Sequence, residues 1–310
     1  MMKERIKHSF LILAVLLFFA ACKGKGEAVV EERDTPNSGT IRISVDESFK
    51  PVMEEQIKVH HSSFPNTHII VSYKPEVECL KDLQNDSTRM ILIARGLSKK
   101  ESSIFESSLG YRPQFAILAY DAVAVIVNQK SADSVFTMND LKEILSGKSK
   151  RIAVMDGKNA TSTVRFLKDS ILKGGDFGAN VVASKNSDDV IDIVSKNENV
   201  VGFVGLSWVG DSYDPKQQEN LKKIRLALVE CVRCVEKGFF AKPSQATISY
   251  AQYPLPRPMY YILKENSAGL GTGFMNFMSL ERGQLIFKRA LLVPAKMNFK
   301  VRSGKIKESD

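Results

Sequence analysis

Two periodicities of apolar residues alternate along most of this 310-residue chain. Residues 40–45 (TIRISV) alternate with β-branched side chains and predict a strand. Phe49, Val52, Met53 and Ile57 recur at helical spacing and predict a helix over 49–64. The same reading gives a strand at 68–73, a helix at 76–85 and a buried strand at 90–94 (MILIA). Residues 115–119 and 122–128 are each strand-like. Thr137 and Asp140 form a capping box that opens a helix through Leu145, closed by Gly147. Strands follow at 151–155, 200–204 and 260–263, with helices at 162–172 and 188–197. A helix or helix pair is expected at 273–290. Strands alternating with helices almost to Val204 predict an α/β fold, with open parallel or mixed sheets covered by helices.

The first 21 residues depart from this pattern. Lys3, Arg5 and Lys7 precede an apolar core of about ten residues, too short to span a bilayer, and small residues follow. Residues 1–21 are therefore read as an export signal. Ala20-Ala21-Cys22 resembles a bacterial lipobox, which makes Cys22 the lipidated first residue of the mature protein and anchors it to a bacterial membrane, facing the periplasm or the cell exterior. A plain secretory signal with an incidental cysteine is the alternative. Residues 22–38 are polar and aperiodic and are expected to form a flexible tether. The remaining 270 or so residues suit two lobes of ordinary size or one large α/β domain.

The chain carries a net charge of +9, about +7 once Lys3, Glu4, Arg5 and Lys7 are removed with the signal. A basic surface on an exported protein suits an anionic ligand or a membrane surface, or serves only solubility. No basic run interleaved with aromatics points to nucleic acid. With Cys22 taken by lipid, Cys79, Cys231 and Cys234 remain. The CxxC pair Cys231 and Cys234 reads as a local disulfide outside the cytoplasm, with a redox role as the lesser alternative and too few neighbouring ligands for zinc. Cys79 shares a helical face with Leu80 and Leu83 and reads as core. Three histidines remain, His60, His61 and His68, and none of the catalytic signatures HExxH, GxSxG, Walker A or GxGxxG occurs. No catalytic residue, cofactor or metal site is expected, and the chain is read as not an enzyme.

In sheets of this kind, ligands sit beyond the carboxyl ends of strands, at the N-termini of the following helices. Four segments fit: Asp46-Glu47-Ser48, residues 74–78, Arg95-Gly96-Leu97-Ser98 and residues 156–165. The last, within DGKNATSTVRF, is chemically the richest, with Lys158, Thr161, Ser162, Thr163 and Arg165 around a helix start. Such a loop either seats an anion or merely caps its helix.

Several longer segments resemble the phosphate-binding proteins of bacterial phosphate ABC importers, in the two-lobed periplasmic binding protein superfamily. They are Asp121-Ala-Val-Ala-Val-Ile-Val-Asn128, residues 136–147 (FTMNDLKEILSG), residues 200–205 (VVGFVG), residues 253–260 (YPLPRPMY), and Phe274-Met-Asn-Phe-Met with Gly283-Gln284. The resemblance covers nearly all of 39–295. It implies a type II two-lobed α/β fold, each lobe a mixed sheet flanked by helices, with lobe 1 at 39–118 and 262–310, lobe 2 at 119–261 and the ligand cleft between them. It also implies a monomer that captures phosphate or a related oxyanion for an ABC permease. The alternatives are another small solute, or an interaction or sensor lipoprotein with a diverged pocket.

Against the family's anion loop, Gly157, Ser162 and Arg165 match, Lys158 stands in place of Arg, and Thr161 and Thr163 replace glycines. Ser48 and Arg95 match two further contacts, so the implied ligand-binding set is Ser48, Arg95, Lys158, Thr161, Ser162, Thr163 and Arg165. Where the family has a glycine-rich turn, this chain has Lys74-Pro75-Glu76-Val77-Glu78. Asp46, Glu47, Glu76 and Glu78 are thus expected to bring negative charge towards the pocket.

Overall fold

The computed structural model describes residues 34–85, 87–157 and 161–296. The signal segment, Cys22, most of the expected tether and Lys158 lie outside the described residues. In chain order the first elements are β1 (Gly39–Asp46), a 3-10 turn (Glu47–Phe49), α1 (Lys50–Ser63), β2 (Thr67–Lys74), α2 (Glu76–Leu83), β3 (Thr88–Ile93) and α3 (Lys99–Leu109). A long strand, β4 (Gln114–Asn128), leads to β5 (Val135–Phe136), α4 (Met138–Leu145), β6 (Ile152–Asp156), α5 (Ser162–Ser170), β7 (Val181–Ser184), α6 (Ser187–Lys196) and β8 (Val200–Gly205). Then come α7 (Pro215–Leu221), β9 (Ile224–Leu226), β10 (Leu228–Glu230), β11 (Phe240–Ala241), α8 (Gln245–Ser249), β12 (Pro256–Leu263), α9 (Leu270–Ser279), α10 (Glu281–Arg289) and β13 (Val293–Pro294).

The main sheet runs β2-β1-β3-β12-β4-β8-β6-β7, with β9 and β13 also on β4. β1 is parallel to both β2 and β3, and β6 to both β7 and β8, while β12 and β4 run antiparallel between the two sets. Each half therefore has a mixed sheet, and β4 is shared by both. Two main cores follow. One gathers Ile41, Val45, Phe49, Met53, Leu118, Ala119 and Met259 with α9 and α10. The other gathers Ala122 to Val127, Val154, Leu167, Val190, Phe203 and Trp208. The run 122–127 is wholly apolar and every residue of it is fully buried, as a strand covered on both faces requires.

Three differences from the expected elements have local causes. The strands expected at 115–119 and 122–128 are one strand, and the polar Asp121 that divides them in sequence is fully buried. α3 was not expected, because of its residues only Phe105 is buried and its apolar period is faint. A capping box at Ser98 and Glu101 and a left-handed Gly110 (φ 77°) define its ends instead. The last residues of the expected tether are fastened. The Asp34 carboxylate accepts from Arg89 at 2.8 and 2.7 Å and from the Leu270 N–H at 2.6 Å. Among the described residues, no helix is long and apolar enough to cross a membrane.

Candidate functional site

β1 and β6 occupy equivalent places, each between two parallel partners reached by crossovers in opposite directions. Loops leaving such strands part from one another and open a crevice against helix N-termini. β1 ends in Asp46, which is fully buried. Its carboxylate accepts from the Ser48 N–H (3.0 Å) and the Ser48 hydroxyl, and also from the N–H of Ser162, the first residue of α5, at 3.3 Å.

β6 ends in Asp156 and turns at Gly157, whose φ of +70° and a clearance of 2.3 Å between an added Cβ and Thr161 Cγ2 both demand glycine. Thr161 caps α5. Its hydroxyl oxygen accepts from the Val164 N–H (3.2 Å) and the hydroxyl donates to the Asp156 carbonyl (3.1 Å). That cap fixes Ser162 and Thr163 with their hydroxyls turned to Arg257, whose Nη1 donates to them at 3.0 and 3.2 Å. The Ser48 and Ser162 hydroxyls are 3.2 Å apart, joining the two halves.

Arg257 comes from β12 and is held by Asp121 of β4, with Nε and Nη2 donating to Oδ2 at 2.9 and 2.8 Å and neither side chain exposed. The guanidinium lies 5.1 Å over the Phe49 ring, and Asp121 Oδ1 accepts from the Leu206 N–H at 3.1 Å. A second Arg–carboxylate pair lies nearby. Glu76 opens α2 and is buried. It accepts from Arg165 Nε and Nη2 (2.5 and 3.1 Å) and from the Ala94 N–H (3.1 Å), with Arg95 Nε 3.9 Å away. Arg95 spends its fork on Glu101, at 2.8 and 2.7 Å. Glu47 reaches the start of α6, accepting from the N–H and hydroxyl of Ser187 at 3.2 and 2.9 Å.

Burial pushes Asp46, Glu47 and Asp121 above the usual carboxylate range; the Arg257 charge opposes it at Asp46 and Asp121, and hydrogen bonds from Ser187 oppose it at Glu47. Asp156 is pushed up to about 8 by burial and then by the charges of Glu47 and Asp46, and its Oδ2 has no hydrogen-bond partner among the described residues.

The structure thus brings Ser48, Ser162 and Thr163 together, with Thr161 behind them as a cap. Arg165, on the same helix, turns its guanidinium to Glu76, and Arg95 lies beside that pair with its fork on Glu101. Asp46, Glu47 and Glu76 do carry charge inward. Glu78 does not, because it lies on the exposed face of α2. Sequence reasoning missed Arg257 and Asp121. The available signal was a lone charge in each of two otherwise apolar strand runs, a pattern that buried charges survive only by pairing. Cys231 and Cys234 are joined as a disulfide, and Cys79 is buried, with burial pushing its thiol up. Among the described residues, no group of three or more His, Cys, Asp or Glu side chains is disposed to hold a metal ion.

A model of the PBP superfamily domain matches residues 30–281. The phosphate-binding protein PstS of Pseudomonas aeruginosa is 22% identical over 331 residues, covering 96% of this chain and 98% of that one. PstS of Staphylococcus epidermidis is 23% identical over 208 residues, covering 62% of this chain and 59% of that one. An ABC-type phosphate transport receptor from Vibrio cholerae superposes with a TM-score of 0.60 at 18% identity, covering 83% of this chain and all of that one. The likeness in structure shows the two-lobed α/β fold and leaves the ligand to be argued from the site.

Proposed function

Because the chain belongs to the PBP superfamily, with residues 30–281 matching its domain model, we propose that it is a solute-binding protein that takes phosphate or a related oxyanion between two lobes and delivers it to an ABC permease. The observation that carries this reading is the convergence of Ser48, Ser162, Thr163 and Arg257 on the N-terminus of α5, with the Arg165 guanidinium leaving the first turn of the same helix to meet Glu76. Hydroxyls, guanidiniums and a helix N-terminus are the donor set that small oxyanions use. The near full-length match to a relative named as phosphate-binding supports phosphate as the ligand to try first. We place lobe 1 at 39–118 with 262–310 and lobe 2 at 119–261. β4 and β12 connect them, since Ala119 and Met259 pack in one core and Ala122 and Leu255, the residue just before β12, in the other. Hinge motion at these strands would open the seat. The protein is taken to be a monomer, exported and held to a bacterial membrane by lipid on Cys22.

Titration calorimetry with phosphate and sulfate tests the reading. Saturable phosphate binding is expected, weakened about 10- to 100-fold in Arg165→Ala, the range for a lost charged hydrogen bond. Absence of heat and of any thermal shift with millimolar oxyanion would sink it. A second reading, an interaction or sensor lipoprotein with a diverged pocket, is favoured by one observation: Asp46 and Glu76 already take up donors in the seat. It predicts that silent titration.

A further inference from the structure

We propose that Glu76 is a tethered internal anion that occupies the guanidinium end of the seat, so that an incoming oxyanion binds only by displacing it. The proposal rests on the function proposed above for the identity of the incoming ion, and on contacts alone for the role of Glu76.

The partners of Glu76 are those of a bound anion. One carboxylate takes two donors of a single guanidinium, one backbone N–H at the carboxyl end of β3, and the field of a second guanidinium at 3.9 Å. Arg165 also donates to the Ala94 carbonyl at 3.4 Å, so its fork is held against Glu76 and the end of β3. Arg165 and Glu76 lie 89 positions apart, in different halves. The carboxylate is buried although it opens a helix, where Glu ordinarily lies in solvent. Pro75 precedes it and offers no N–H, so the strand-to-helix turn here contributes a negative charge in place of a backbone donor.

The neighbouring loop repeats the arrangement. Asp46 takes the Ser162 N–H of α5 and Glu47 takes Ser187 of α6, so three carboxylates of the first half engage helix starts of the second. Asp46 and Glu47 are also woven into their own turn or a single serine. Glu76 alone among the three holds a guanidinium, that of Arg165, which keeps 34% of its side chain in solvent, has Asp169 3.7 Å from Nη1, and could pass to an exogenous anion without dismantling a cap. An internal competitor lowers apparent affinity by the fraction of molecules in which it has let go.

The test compares the wild type with Glu76→Gln, which keeps the size and removes the charge, and Glu76→Gly, which empties the position. Phosphate affinity is measured by calorimetry, and thermal stability is followed with added phosphate and with formate, a carboxylate small enough to replace the missing group. Expected are phosphate binding by Glu76→Gln at least about tenfold tighter than by wild type, and a melting temperature of Glu76→Gly raised by formate while that of the wild type does not move. Equal phosphate affinity in wild type and Glu76→Gln overturns the proposal and leaves the proposed function standing. Formate rescue of Glu76→Gly without phosphate binding in any form supports the internal anion and removes phosphate as the ligand. Neither rescue nor binding overturns both. If Glu76→Gly does not fold without formate and folds with it, the proposal gains directly.

Discussion

Two Arg–carboxylate pairs, close together and alike in chemistry, are built for opposite ends. Arg257–Asp121 joins two adjacent strands, both side chains wholly buried, with Phe49 below and the Leu206 N–H completing the carboxylate. Arg165–Glu76 joins the starts of two helices from different halves, and the arginine side chain keeps about a third of its surface (34%) in solvent. The first pair has nowhere to go, since its two residues are direct partners on paired strands and neither side chain is exposed. The second joins the first turns of two helices, α2 and α5, and would part if the proposed lobes did. Burial between paired strands makes a strut, and the same charges between helix starts with one partner partly solvated make a catch. The strut's hydrogen bonds, from Arg257 to Ser162 and Thr163, carry this rigidity into the seat.

The sharpest way to break that comparison is to cut each pair once. Arg257→Met leaves Asp121 buried and uncompensated and strips Asp46 and Asp156 of the charge that tempers them. Removing one partner of a buried pair costs about 3–5 kcal/mol, so denaturant unfolding should show a loss of that size or no folded protein. The double variant Arg257→Met with Asp121→Leu should recover a large part of it. Arg165→Ala exposes Glu76 to water and should cost far less. If the two single losses came out equal, the division into strut and catch would be wrong.

Asp156 gives an effect on the order of a few kcal/mol that pH reads out. Its folded value of about 8 lies well above the ordinary 3.8, so the folded state holds a proton that the unfolded state releases. A raised carboxyl contributes no penalty below about pH 4. Stability should then fall as pH rises towards 8, and level off above it. Asp156→Asn should flatten this limb in melts taken from pH 5 to 9. An unchanged slope would mean that the group ionises freely in the seat, with water or a cation supplying what the side chains do not.

How far these sites could be read from sequence depended on which kind of signal each residue left. β1, β3, α4 and β8 were legible because their apolar periods are strong and their caps local. Ser162, Thr163 and Arg165 were picked out because a hydroxyl-rich turn opening a helix is a short-range pattern, and Ser48 through its match to a contact of the family it resembles. Arg257 was not, since its meaning lies in Asp121, 136 positions away and matched to it only by the register of β12 on β4. Glu76 was visible as a misplaced charge, but that it is buried against Arg165 follows from tertiary packing alone. α3 was missed for the opposite reason: its ends are well marked, but its face buries too little to give a period.

The smallest expected effect separates the rim from the seat. Glu101 completes a capping box with Ser98 and holds Arg95 in a two-pronged pair, and the Arg95 hydrogen bonds bring its carboxyl down to about 2 despite partial burial. A depressed carboxyl contributes stability that is present above its ordinary value near 4.5 and is lost as pH falls through 2. The pair is partly solvated, so Glu101→Gln should cost no more than about 1 kcal/mol. That corresponds to a drop of about 2–4 °C in a chain of this size at neutral pH, closing as the pH approaches 2. The same variant frees Arg95 beside Glu76. Unchanged phosphate affinity places Arg95 outside the seat as a brace for α3, whereas tighter binding would make it a third guanidinium of the seat, held away by Glu101 as Arg165 is held by Glu76.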